Sequence, residues 1–136
     1  MDYGAPISLS VAKRVIDAAE ADAAANGWAM VIAVVDSSGH LVALHRMDQA
    51  QYGSVAIAQA KAKTAVDFKR PSKIFEDAVA QGGLGLRLLS TPDLCPLEGG
   101  VPLVARGELI GAVGVSGARS HEDGRVAMAG ARVCND

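Results

Sequence analysis

Aromatic side chains are scarce in this chain, at 4% of its 136 residues. Without large rings the core is thin, and small side chains let neighbouring elements approach closely. Cysteine is scarce too. Cys95 and Cys134 have no metal-type spacing, so no zinc motif is present and both thiols are expected to stay reduced. Basic residues are not in excess: 13 Lys and Arg face 15 Asp and Glu, a formal charge of −2. Nothing here neutralises a phosphate backbone, which argues against a nucleic-acid partner. No apolar run is long enough to span a bilayer. Met1 to Ser8 has neither a basic start nor an apolar signal core. The expectation is a cytoplasmic protein with no membrane partner.

Half of the residues are hydrophobic and 21% are charged, a globular composition. The length suits one domain covering 1–136. Alanine and glycine are abundant, and a core of such small residues gains by burying more surface against another copy. A homo-oligomer is therefore expected.

Ser8 can cap a helix with Ile7 as its staple, and Asn26-Gly27 stops it, so the helix runs from Leu9 to Ala25. Met30 to Val35 is a short Val/Ile run that suits a buried strand. Turn chemistry at Asp36-Ser37-Ser38-Gly39 leads into a second strand, Leu41 to Met47. A second helix runs from Ser54 to Phe68 and breaks at Lys69-Arg70-Pro71. Ser72 can cap a third, ending at Gly82-Gly83, with Ile74, Ala78, Phe75 and Val79 facing inward. Val101 to Ala105 and Leu109 to Ser116 form a hairpin around Arg106-Gly107. Ser120 can cap a last helix with Asp123 at the capping-box position. Hairpins make antiparallel pairs, so the reading is an α+β fold. One antiparallel sheet of about five strands is flanked by helices.

The glycines at 111, 114 and 117 lie within a strand, which removes the context of a dinucleotide fingerprint. On that strand Val113 and Val115 share one face, while Ala112, Gly114 and Ser116 share the other. The small face serves equally as a ligand floor or as a seat for a helix. Glu98-Gly99-Gly100-Val101-Pro102 reads either as a backbone nest for an anion or as an ordinary turn. Arg46 can grip a carboxylate in two-pronged fashion or pair with Asp48. Lys61 and Lys63 are two apart, so at most one points into a given site, and Lys63 is the candidate. Asp36, Glu98 and His121 are the candidate proton carriers. For Asp36 turn formation competes, and desolvation at the end of a buried strand is expected to raise its pKa. For His121 helix capping by its neighbours competes. No catalytic triad or nucleophile elbow is present.

Taken together, several stretches resemble the GlcG/HbpS-like family over nearly the whole chain. They are Val34-Val35-Asp36, Gly39, Leu41 and Arg46-Met47-Asp48, then Lys61-Ala62-Lys63-Thr64-Ala65 and Gly99-Gly100-Val101-Pro102, and last Ile110 through Gly117. The resemblance implies a profilin-like fold assembled into symmetric oligomers, with a site for a small molecule. Some members bind haem and some are linked to iron. If haem is bound here, His121 is the candidate iron ligand, with His45 as an alternative. Iron-linked members carry acidic residues three apart near the last helix. Here Asp123 is followed three residues on by Val126, and Glu122 by Arg125.

Two functions that involve a ligand follow as expectations, beside a third, a structural or assembly partner with no ligand. One is a binding protein for haem or another small anionic ligand, held near Arg46, Lys63, Gly99, Gly100, Pro102 and Ser116. The other is a small catabolic enzyme without a cofactor, acting on an organic acid by tautomerisation, hydration or hydrolysis.

Overall fold

The computed structural model describes residues 1–135. Its elements are α1 (Leu9–Ala25), β1 (Val31–Asp36), β2 (Leu41–Arg46), α2 (Ser54–Phe68) and α3 (Lys73–Ala80), then a 3-10 segment (Gly83–Ser90), β3 (Gly100–Ala105), β4 (Glu108–Ser116) and α4 (Ser120–Ala131). The strands form one antiparallel sheet in the order β2-β1-β4-β3. It has four strands rather than about five. The N-terminus supplies only a single parallel bridge, Tyr3 to Leu109. Pro6 has no N–H to extend such a ladder, and Ser8 caps α1 directly after it, its side chain accepting from Val11 N–H.

Both hairpins join central β1 and β4 to an edge strand. The β3–β4 turn places Arg106 and Gly107 at φ +53° and +77°. Two consecutive left-handed residues are the two-residue turn whose twist matches the flanking strands.

Helices cover both faces. On one, α1 and α4 pack Val15, Ile16, Ala19, Val126 and Ala127 against Ile32, Val34, Val113 and Val115. On the other, α2 lays Ala58, Ala62 and Ala65 over Ala33, Val35 and Ala112. Central β1 is thus buried on both sides, hence its continuous apolar run. The small face of β4 is the seat of α2: a Cβ on Gly114 would overlap the Ala58 carbonyl and lie 2.6 Å from Ala62 N.

Helix α3 departs from the expected pattern. Phe75 is buried, but Ile74 remains 49% exposed. The 3-10 segment buries none of its residues, and Leu84 is 79% exposed.

Candidate functional site

The open end of the β3 edge, where α3 and α4 meet it, forms a hollow of about 150 Å³. Pro71 and Lys73 at the start of α3, Glu98 to Val101 leading into β3, and Gly124 and Met128 on α4 line it. Its surface is largely apolar. A cavity of this size is enough for a benzene-sized ring. A second, open and polar hollow of about 660 Å³ lies at the opposite edge, lined by Arg46 to Tyr52.

Behind the first hollow lies a buried ion pair. Lys61 Nζ donates to Asp123 Oδ2 at 2.9 Å and to the Val115 carbonyl at 3.0 Å. The two side chains are 2% and 4% exposed. The other Asp123 oxygen accepts from Ala118 N–H at 2.9 Å. Burial pushes the Asp123 carboxyl above its usual range, and the hydrogen bond and charge of Lys61 only partly oppose this.

At the mouth, the half-buried Glu98 carboxyl lies flat on α4, where a Cβ at Gly124 would overlap it. Burial raises its pKa; Glu76 and Asp77 add to the rise, while Lys73 and His121 oppose it. His121 stands on α4 three residues before Gly124, one helical turn, and is exposed. Of the three histidines, His40 bonds Ser38 at 3.0 Å and His45 pairs with Glu20 at 2.9 Å. The His121 ring makes no hydrogen bond among the described residues. Among those residues no three His, Cys, Asp or Glu side chains are grouped to hold a metal ion.

Residues 7–132 match the family described as "Haem degrading protein HbpS-like". The chain belongs to the HbpS-like family. Its relatives include Protein GlcG of Escherichia coli K12, 43% identical over 110 residues that cover 81% of each chain. Among solved structures, a double mutant of HbpS from Streptomyces reticuli superposes with a TM-score of 0.88 at 31% identity, covering 100% of this chain and 92% of that one. A PduOC:heme complex superposes at 0.85 with 27% identity, covering 96% of each.

In this HbpS-like chain, Glu98, Gly99 and Gly100 come together at the hollow, and His121 lies outside its lining but near enough to act on the Glu98 charge. Arg46 does not join them. It lies on β2, three strand spacings from β3, or roughly 14 Å at about 4.8 Å per step. Gly99 and Gly100 do not form a paired anion nest, because Gly100 N–H is taken by Ser72 Oγ at 2.8 Å. The glycines serve close packing instead: a Cβ on Gly100 would overlap the Lys61 carbonyl. Lys63 points outward and pairs with Asp67, whose hydrogen bond raises the lysine pKa. The lysine that reaches inward is Lys61. Pro102 is buried in edge strand β3, where a missing N–H is tolerated. Ser116 is buried and bonds Ser54 at 2.9 Å.

Asp36 is a turn former, remote from the hollow. One oxygen accepts Ser38 N–H at 2.9 Å, Ser38 Oγ–H at 2.9 Å and His40 N–H at 3.1 Å. Burial alone would raise its pKa, but these bonds outweigh it and hold the carboxyl below 3.8, opposite to the expected shift. Its stabilisation is therefore present above pH 3.8 and lost as pH falls through the lower folded value. Asp36→Ala should cost about 1 kcal/mol at pH 7 in urea denaturation. The difference from wild type should close below pH 3.8.

Sequence reasoning missed Lys61, Asp123 and Ser72. One signal was there for Lys61: it sits three residues after Ala58 and four before Ala65, on the inward stripe of α2. Asp123 read as a capping residue. Glu122 takes that part, accepting from Arg119 N–H at 3.1 Å, because α4 is capped at Arg119 and not at Ser120.

Proposed function

We propose that the chain is a single-domain, self-associating binding protein for haem or a related planar, anionic organic ligand, seated at the hollow between α3 and α4. The observation that supports this is a ring-sized apolar slot with His121 one helical turn before its Gly124 wall, an imidazole with no hydrogen-bond partner among the described residues. The residues present fit a haem held by one edge. His121 would offer its imidazole to the iron, Pro71, Val101 and Met128 would keep water from the ring, and Lys73, now paired with Asp77, would be the cation nearest a carboxylate of the ligand. Bound haem supplies a redox-active iron. The similarity to a haem-complexed protein and to a family described as haem-degrading supports the same ligand. Exposed Leu84, Leu86 and Leu89 support self-association. No helix among the described residues is long and apolar enough to cross a membrane.

A second reading, a cofactor-free enzyme acting on a small organic acid, is favoured by Glu98. A carboxyl held above its usual range at the mouth of a hollow can carry a proton closer to neutral pH.

Titration with micromolar haem tests the proposal. Wild type and His45→Ala should develop a Soret band of bound haem, and His121→Ala should lose it. No spectral change in wild type, or an equal band in His121→Ala, contradicts the assignment. Turnover of an organic acid by haem-free protein would favour the second reading.

A further inference from the structure

The Lys61–Asp123 pair takes no part in holding the ligand as proposed, and stability alone accounts for it poorly. Apolar residues of similar volume usually stabilise a core as well as a buried ion pair or better. The connections of this pair run to the hollow. Lys61 Nζ occupies the Val115 carbonyl at 3.0 Å, beside the point where β3 begins. The N–H of the same residue donates to the Gly99 carbonyl at 2.9 Å. Gly99 is held at φ +137°, where a Cβ would lie 2.5 Å from the Val115 oxygen, 2.9 Å from Lys61 Cδ and 3.0 Å from Nζ. At the other end of the pair, Asp123 anchors the turn into α4 through Ala118 N–H, and the next residue is Gly124. Gly99, before β3, and Gly124, on α4, both line the hollow.

We infer that the Lys61–Asp123 ion pair is a positioning device that fixes the spacing between the Gly99 and Gly124 walls of the hollow, an inference that rests on the hollow being the ligand site. Lys61 and Asp123 are positioning residues and do not touch the ligand, since both are buried behind the glycine floor. The lysine supplies a donor to a strand carbonyl beyond the end of β3. The carboxylate ties that donor to the first turn of α4. Removing both charges together leaves a packed core but unties the two walls.

The test is the double variant Lys61→Met/Asp123→Asn. It leaves no orphan charge, and the asparagine oxygen can still accept from Ala118 N–H. The inference expects cooperative unfolding close to the wild-type midpoint. It expects amide hydrogen exchange at least tenfold faster at Gly100 and Val115, whose N–H groups bond Ser72 Oγ and the Gly99 carbonyl, with Ala33 and Val113 unchanged. Haem affinity should fall at least tenfold. A folded double variant with wild-type exchange at those two amides and wild-type haem affinity overturns the inference and leaves the pair a core element. Should the double variant fail to fold, Asp123→Glu is read in the same way. It keeps both charges and shifts the tie to Lys61, so unchanged exchange there overturns the inference equally. If wild type binds no haem while the two amides loosen in the variant, the haem proposal fails and the positioning role stands. If wild type binds haem and the amides do not loosen, the reverse holds.

Discussion

Gly114→Val is expected to destabilise the protein by about 3 kcal/mol or more, the upper range for overpacking a dense core. A domain of this kind holds only about 5–15 kcal/mol in all, so the variant should be largely unfolded at modest urea. The cause lies between β4 and α2. A Cβ at this position would overlap the Ala58 carbonyl, lie 2.6 Å from Ala62 N and 2.9 Å from Ala62 Cβ. Two of these are backbone atoms of a helix seated on the sheet, so no rotamer change relieves the clash. Gly53→Ala is the matched control. Gly53 has nothing within 4 Å of its would-be Cβ and sits at φ −60°, so the change should be close to neutral. Equal denaturation midpoints for the two variants would contradict the close seating of α2.

Lys61→Met alone is expected to cost about 3–5 kcal/mol, the usual penalty for leaving a buried partner charge uncompensated. Asp123 would lose its ammonium at 2.9 Å while remaining 4% exposed. Its carboxyl is already raised by burial with the lysine present, and it rises further without it. A raised folded pKa means that folding takes up a proton. The contribution of Asp123 to the variant's stability is therefore greatest below pH 3.8 and is lost as pH rises through the folded value. Urea midpoints across pH should show the deficit against wild type growing toward neutrality. A deficit that does not change with pH would mean that Asp123 is not the orphaned group.

Much of the fold is legible in the sequence because its signals are local. Helix α1 begins and ends where Ser8 and Asn26 place it, and the hairpin turn at Arg106-Gly107 is a two-residue device. The four strands follow from short Val/Ile runs between turns. The stretch from Leu84 to Pro96 resists reading because it obeys no period: its leucines face outward in a 3-10 segment. The outward Ile74 on α3 is missed for the same reason. Periodicity says which residues share a stripe, but not that a stripe remains uncovered in one chain.

The site is legible only in part. Glu98, Gly99, Gly100 and His121 are close in space although His121 is over twenty residues further along the chain. Arg46 and Lys63 read as anion ligands from their chemistry, yet strand order sends one to the far edge and helix phase turns the other to solvent. Residue type alone carries no information on either. Lys61 is the instructive case. A lysine on an alanine stripe breaks the apolar pattern, and the break marks a buried charge with a partner sixty-two residues away.

The central claim is that the ligand sits at the hollow between α3 and α4. Amide NMR of the labelled protein during titration with ferric haem tests it most directly, because the paramagnetic iron broadens nearby resonances. Broadening confined to residues 98–101 and 121–128 is the predicted result. Broadening centred on Arg46 to Tyr52, with the amides of Gly99, Gly100 and Gly124 sharp, would contradict it.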